Sequence, residues 1–192
     1  MAGLRERKRA ELSSRIEHTA IDLFERDGYS AVSVRDVAAA AQISERTVFR
    51  YYPTKPDLVF AVEARWMAMY KSEADRLATE GLTVTELLAR ISEAISAFIE
   101  NDPTPVLRAF AIAQGVPELQ AKQASNQATW DELVADSLDQ YFTTRREALV
   151  VASAVMGMIS HSVQTWAQSG GTASLGTTIA DGFDILATVF TK

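Results

Sequence analysis

Glu45, Arg46, Thr47, Arg50 and Tyr51 crowd a short stretch that Ser44 opens and Pro53 closes. If residues 44–52 form one helix, these are its exposed positions. Their chemistry is that of reading the edges of bases. Arginine donates to guanine O6 and N7, glutamate accepts from cytosine N4, and the threonine methyl meets that of thymine. The helix N-terminus at Ser44 favours a phosphate.

Those side chains need elements to hold them. Ser33 followed by Asp36 is a capping box, so a short helix starts there and ends near Ala40 or Ala41. Ser44 caps the next helix, Val48 and Phe49 follow, and Pro53 stops it. Thr54, Pro56 and Asp57 mark a third start. Before them, Leu12, Ile16, Ala20, Leu23 and Phe24 recur at helical spacing over about 9–27, and Gly28 suits a left-handed C-terminal cap. Two short helices with about three residues between them have the shape of a helix-turn-helix. Spacing alone is a weak signal, and on that evidence a plain surface helix in an all-helical domain is the more frequent outcome.

The rest also reads as helix, about nine helices in all. Apolar spacing marks one with Leu58, Val62, Trp66, Met69 and Tyr70, and another with Val84 to Phe98. Further patterns cover Leu107 to Ala111, Leu119 to Phe142, residues 144–168, and Ile179, Phe183, Leu186 and Phe190. No strand alternation or hairpin signal interrupts them. The expected class is all-α, with a three-helix unit at 1–55 and a larger helical domain at 56–192.

Composition removes several classes. The 192 residues are 47% hydrophobic and 23% charged, which suits a globular protein. With no cysteine there is no disulfide framework, thiolate zinc site or cysteine nucleophile. No phosphate loop, serine elbow or dinucleotide fingerprint occurs, and His18 and His161 stand alone. No catalytic residue, metal or cofactor is therefore expected. The N-terminus has no apolar leader pattern, and no uninterrupted apolar run reaches membrane length. A soluble, cytoplasmic protein is expected, with no membrane partner. Charge is unevenly placed. Residues 1–55 carry 10 Lys+Arg against 8 Asp+Glu, net +2, and the remainder 9 against 17, net -8. An anionic partner would be met by the N-terminal quarter.

Residues 32–38, 41–44 and 46–58, from Val32-Ser33-Val34-Arg35-Asp36 to Lys55-Pro56-Asp57-Leu58, resemble the DNA-binding signature of the TetR family of bacterial transcriptional regulators. The likeness covers about the first 60 residues, and Phe49, Tyr52, Lys55 and Leu58 fit it together. It implies that Arg35 enters the groove and touches a base. It implies that Glu45, Arg46 and Phe49 face base edges, that Thr47, Tyr51 and Lys55 hold phosphates, and that Arg50 does either. Val37, Ala38, Val48 and Tyr52 would pack inward. The chain departs from the family pattern at three positions. Gln42 replaces a turn glycine, at about 1 kcal/mol if the turn is left-handed. Phe49 replaces a tyrosine and loses its hydroxyl. Pro56 replaces a glutamate, which a first turn accepts.

The resemblance further implies a ligand-responsive repressor, a homodimer on a pseudo-palindromic double-stranded operator. Residues 144–168 are apolar almost all round, so two sides need cover. One is the core. The resemblance pairs the last two helices with a partner's, through Ala152, Val155, Met156, Ile159, Val163, Ile179, Phe183 and Leu186. An effector pocket, also implied by the resemblance, would draw on Trp66, Met69, Tyr70, Phe98, Phe110, Gln123, Asn126 and Trp130. As a pattern alone, those residues suit an ordinary core better than a pocket. A DNA-binding regulator without effector, and a helical carrier of apolar ligands, are the rival readings.

Overall fold

The computed structural model describes the backbone of residues 2–190, leaving aside the side chains at positions 2, 3, 6, 189 and 190. Phe190 of the last apolar pattern thus lies outside the described side chains. Among the described residues every regular element is helical: α1 (Ala2–Asp27), α2 (Val34–Ala40), α3 (Glu45–Tyr51), α4 (Lys55–Val59), α5 (Ala61–Leu77), α6 (Val84–Asn101), α7 (Thr104–Ala113), α8 (Pro117–Leu138), α9 (Arg145–Gln168) and α10 (Leu175–Phe190), with a 3-10 turn at Asp139–Tyr141. The fold is all-α, with an N-terminal helix-turn-helix ahead of a larger set of helices.

Local chemistry accounts for the boundaries. Ser33 and Asp36 cap α2 reciprocally, and Ser44 accepts from the Thr47 N–H at the start of α3. At α4, the Thr54 N–H and hydroxyl both donate to Asp57 Oδ2, at 2.8 and 2.7 Å. Gly28 closes α1 with φ +86°, a left-handed conformation that glycine adopts without steric cost.

Two boundaries differ from expectation. α1 starts at Ala2 instead of near Arg9. Its first turns are rich in Ala, Leu, Arg, Lys and Glu, all strong helix formers. Residues 4, 5 and 7–11 are exposed, so apolar periodicity did not mark them. The expected continuous helix from Pro56 to Tyr70 is broken at Phe60, with φ -95° and ψ 20°. Leu58, Val59, Phe60, Ala61 and Val62 are all buried. One straight helix cannot turn five consecutive side chains inward, and the break lets them all reach cover. This raises the helix count from about nine to ten.

The chain forms two compact units. The first joins residues 1–63 to 108–120, so its packing runs past Lys55 and takes back a later segment. Its core unites Ile16, Ala20 and Phe24 of α1, Val37 and Ala38 of α2, Val48 of α3, Leu58 of α4, Ala109 and Ala113 of α7, and Leu119 of α8. Polar groups stitch its rim. Tyr52 donates to Glu17 Oε1 at 2.5 Å, and its oxygen lies 2.6 Å from Ser13 Oγ. Arg108 holds both Asp22 and Glu25.

The second unit comprises residues 64–107 and 121–192. Tyr70, Leu77, Leu87, Ile91, Trp130, Val134, Leu138, Ala148 and Ala152 lie in its core. α10 packs on α6 and α9. A Cβ on Gly182 would run into Met158 Sδ, so that glycine sets how closely α9 and α10 approach. By length and composition alone α9 meets the criterion for a helix that could cross a membrane. Its Ala148, Ala152, Val155, Met156 and Trp166 are buried within the protein.

Candidate nucleic-acid interface

α2 and α3 are joined by a turn that satisfies its own backbone. The Gln42 N–H donates to Ala39 O at 3.1 Å and the Ile43 N–H to Ala38 O at 2.9 Å. This is a Schellman closure, with Gln42 at the left-handed position, φ +56°. Gln42 is the only non-glycine with positive φ among the described residues. Its side chain is exposed, while Ile43 packs against the core and pins the turn. The turn therefore keeps its geometry and carries the strain that a glycine would avoid.

α3 is held from below by Val48, which is fully buried. Tyr52 is buried just beyond its end. Val37 and Ala38 are buried on α2, so all four residues expected to face inward do so. On the other face Glu45, Arg46, Phe49 and Arg50 are exposed, and Thr47 and Tyr51 are half-buried. Phe49, 45% exposed, is one of few large apolar side chains left open to water. Arg35 is exposed on the first turn of α2. Among the described residues, neither Arg35 nor Arg46 has an ion-pair or hydrogen-bond partner. Ser44 and Thr47 are occupied with each other: the Thr47 N–H reaches Ser44 Oγ at 3.1 Å, and the two hydroxyls are 2.9 Å apart.

Lys55 departs from its expected place. Its ammonium donates to Tyr29 O at 2.5 Å and lies 3.9 Å from the Tyr29 ring centroid. Burial holds it below the usual lysine range, with Glu118 pulling the other way. Tyr29 in turn donates to Glu118 Oε2 at 3.1 Å. Lys55 thus ties the α4 start to the loop after α1. Arg9 belongs to the basic run Arg5, Arg7, Lys8 and Arg9, which the sequence offers as a hint of an anionic partner without assigning it a site. Its guanidinium lies 5.9 Å from the Tyr51 ring centroid and that of Arg50 lies 5.4 Å from it. The basic N-terminus was the available signal, but its meaning depends on α1 starting early.

The residues expected at an effector pocket divide. Tyr70 and Trp130 are buried and meet edge-on with centroids 5.9 Å apart. Trp66 packs against the same cluster, and its Nε1 is buried without a hydrogen-bond partner. Met69 and Asn126 are half-buried. Phe98 and Gln123 are exposed, so neither joins that cluster. Phe110 belongs to the first unit. Ser137 donates to Val134 O at 2.7 Å, so its oxygen accepts from Tyr70, 2.6 Å away.

Tyr70 makes the second unit sensitive to alkali. Burial first, with Asp136 adding, pushes its hydroxyl up to about 12. The folded value lies above the unfolded one, so the stability linked to the protonated phenol is intact below about pH 10. It is lost as pH rises from 10 toward 12, by roughly 3 kcal/mol. Urea unfolding at pH 8 and pH 11.5 checks this, and Tyr70→Phe should shrink the difference, leaving the part that comes from Tyr29, whose hydroxyl burial also pushes up.

The expected dimer face requires correction. Ala152, Val155, Met156 and Ile179 are buried within the single chain and build its core. Ile159, Val163, Phe183 and Leu186 are half-buried. The outward stripe of α9 runs instead through Val150, Ala154, Gly157 and His161, with Val150 63% exposed. Ile185 of α10 is 64% exposed. Periodicity could not separate the two sides of a helix that is apolar all round.

Comparison with known proteins now bears on this arrangement. Residues 16–62 match the model described as bacterial regulatory proteins, tetR family, and residues 82–191 match the MftR C-terminal domain of the TetR group. The second match alone spans more than half of the chain. The chain belongs to the TetR family. One relative is a Mycobacterium tuberculosis protein that bears the name mycofactocin biosynthesis transcriptional regulator MftR. It is 26% identical over 183 residues, 94% of this chain and 91% of that protein. Among solved structures, the TetR-family repressor FadR of Thermus thermophilus with lauroyl-CoA superposes with a TM-score of 0.66 at 19% identity, covering 91% of this chain and 93% of that one. FadR of Bacillus subtilis with stearoyl-CoA gives 0.56 at 16%, covering 90% and 96%. These neighbours share the fold. Membership of the TetR family makes the chain a DNA-binding transcription regulator.

Proposed function

We propose that the chain is a repressor that occupies a pseudo-palindromic operator as a homodimer and leaves it when a small apolar or amphipathic ligand binds. Residues 1–55 carry the DNA contacts, and residues 56–192 the ligand and the partner. The observation that carries this reading is the outward row Glu45, Arg46, Phe49 and Arg50 on a capped helix, beside Arg35, with Arg35 and Arg46 both exposed. Arg46 and Arg35 read bases, Glu45 and Phe49 add to the readout, and Ser44, Thr47, Arg50 and Tyr51 fix the register on phosphates.

The open stripe of α9 and Ile185 of α10 supply the face for a second copy, flanked by Ile159, Val163, Phe183 and Leu186. Two-fold pairing would set the recognition helices about 34–36 Å apart, one turn of DNA. The FadR structures hold acyl-CoA, which supports an apolar ligand against Trp66, Tyr70 and Trp130. A ligand that prefers one separation of the recognition helices over the other releases DNA by that difference in affinity. The protein acts in the cytoplasm, where its operator is.

Titrating the protein against its own upstream intergenic DNA and a random duplex, across a range of salt, tests the reading. The expected result is specific binding at two protomers per site that weakens steeply with salt. Failure to bind even random duplex at low salt overturns it in favour of an apolar-ligand carrier.

A further inference from the structure

The early start of α1 places a set of cations that the recognition surface does not use. Arg5, Lys8, Arg9 and Leu12 stand at helical spacing along one side of α1. With Arg50 and Tyr51 at the end of α3 they line an open cavity of about 510 Å³. Four of these six residues are cationic and none is acidic. Leu12 and Tyr51 pack against the core of the first unit, so both walls are anchored. The guanidinium groups of Arg9 and Arg50 lie 5.9 and 5.4 Å from the Tyr51 ring. Ring faces attract cations, and both side chains are thereby held beside the cavity.

Four like charges around one cavity repel each other, and an anion between them relieves that repulsion. Arg50 sits on the same helix as Arg46. A duplex read by α3 therefore runs its backbone alongside this cavity. Arg5 and Arg9 are about 6 Å apart along the helix axis, so two side chains can reach separate phosphates of one strand. We infer that Arg5, Lys8 and Arg9 on the first turns of α1 join Arg50 and Tyr51 at the end of α3 in a preformed grip on the phosphate backbone, extending the DNA contact beyond the recognition helix. This rests on the DNA-binding reading above. The grip carries affinity and salt dependence without sequence preference.

The test uses the full chain with Arg5→Ala, Lys8→Ala and Arg9→Ala combined. All three positions are exposed, and alanine is a strong helix former, so the melting temperature should hold. Affinity is measured across salt for a duplex selected by the wild-type protein from a random library, and for an unselected duplex. Removing one cation from a phosphate lowers the slope of log K against log salt by about 0.9, so the triple variant should show a slope smaller by roughly 2–3 units. The ratio of selected to unselected affinity should stay the same, and Arg5→Lys with Arg9→Lys should retain the wild-type slope. A change in slope below about 1 overturns the inference while leaving the regulator reading intact. Stabilisation of the wild type by inorganic pyrophosphate, absent in the triple variant and joined to an unchanged slope, would assign the cavity to a small phosphorylated ligand and also overturn it. Absence of wild-type binding to any duplex overturns both readings.

Discussion

Replacing Arg35 and Arg46 together with alanine should lower operator affinity by about 30-fold to 10⁴-fold and leave random-duplex affinity much less changed. One bidentate contact between arginine and guanine discriminates against a wrong base by about 1–3 kcal/mol, so two independent contacts give about 2–6. The structure favours a large effect because neither side chain has to break a partnership before it binds. The variant should fold normally, since both positions are exposed and the helices are held by Val37, Ala38 and Val48. Anisotropy titrations on the two duplexes measure the loss. An equal loss on both would reassign these arginines to phosphates, because phosphate contacts carry no sequence information.

Leu58→Ala should destabilise the first unit by about 2–5 kcal/mol. Leu58 is 1% exposed, in the core built by α1, α2 and α3. Removing its branch loses transfer energy and leaves a hole that a capped, five-residue α4 cannot close by shifting alone. The melting transition should fall by about 4–20 °C. Leu58→Met, which conserves volume, should cost less than about 1.5 kcal/mol. Calorimetry or far-ultraviolet circular dichroism is the proper readout. Trp66, Trp130 and Trp166 all belong to the second unit, so tryptophan fluorescence would look at the wrong place.

The parts legible in the sequence were those set by local chemistry. Ser33 with Asp36, Ser44 before α3 and Thr54 with Asp57 each satisfy backbone donors within a few residues, and each appeared where expected. The left-handed turn at Gln42 was legible because its geometry follows from the two helices it joins. What escaped was decided by distant packing. Lys55 turns to the Tyr29 carbonyl because the end of α1 and the start of α4 meet, which no local pattern records. The break at Phe60 answers a core that demands five consecutive residues. Ala152, Val155 and Met156 lie in the core of the second unit and Ile179 is buried, because α10 packs on α6 and α9. Phe98 and Phe110 looked alike as large apolar residues, yet one is exposed and the other belongs to the first unit.

The first unit borrows residues 108–120, and this bears on how the protein is born. Ala109, Ala113 and Leu119 complete its core, and Arg108 clasps Asp22 and Glu25. A ribosome delivers the N-terminal segment first, at about 5–20 residues per second. While the chain between Ala64 and Leu107 is being made, the helices that will face DNA wait with an open apolar side. The DNA-reading half can reach its finished state only once α7 and the first turn of α8 have emerged. A nascent chain stalled short of Arg108 would be a substrate for chaperones, not a repressor in miniature.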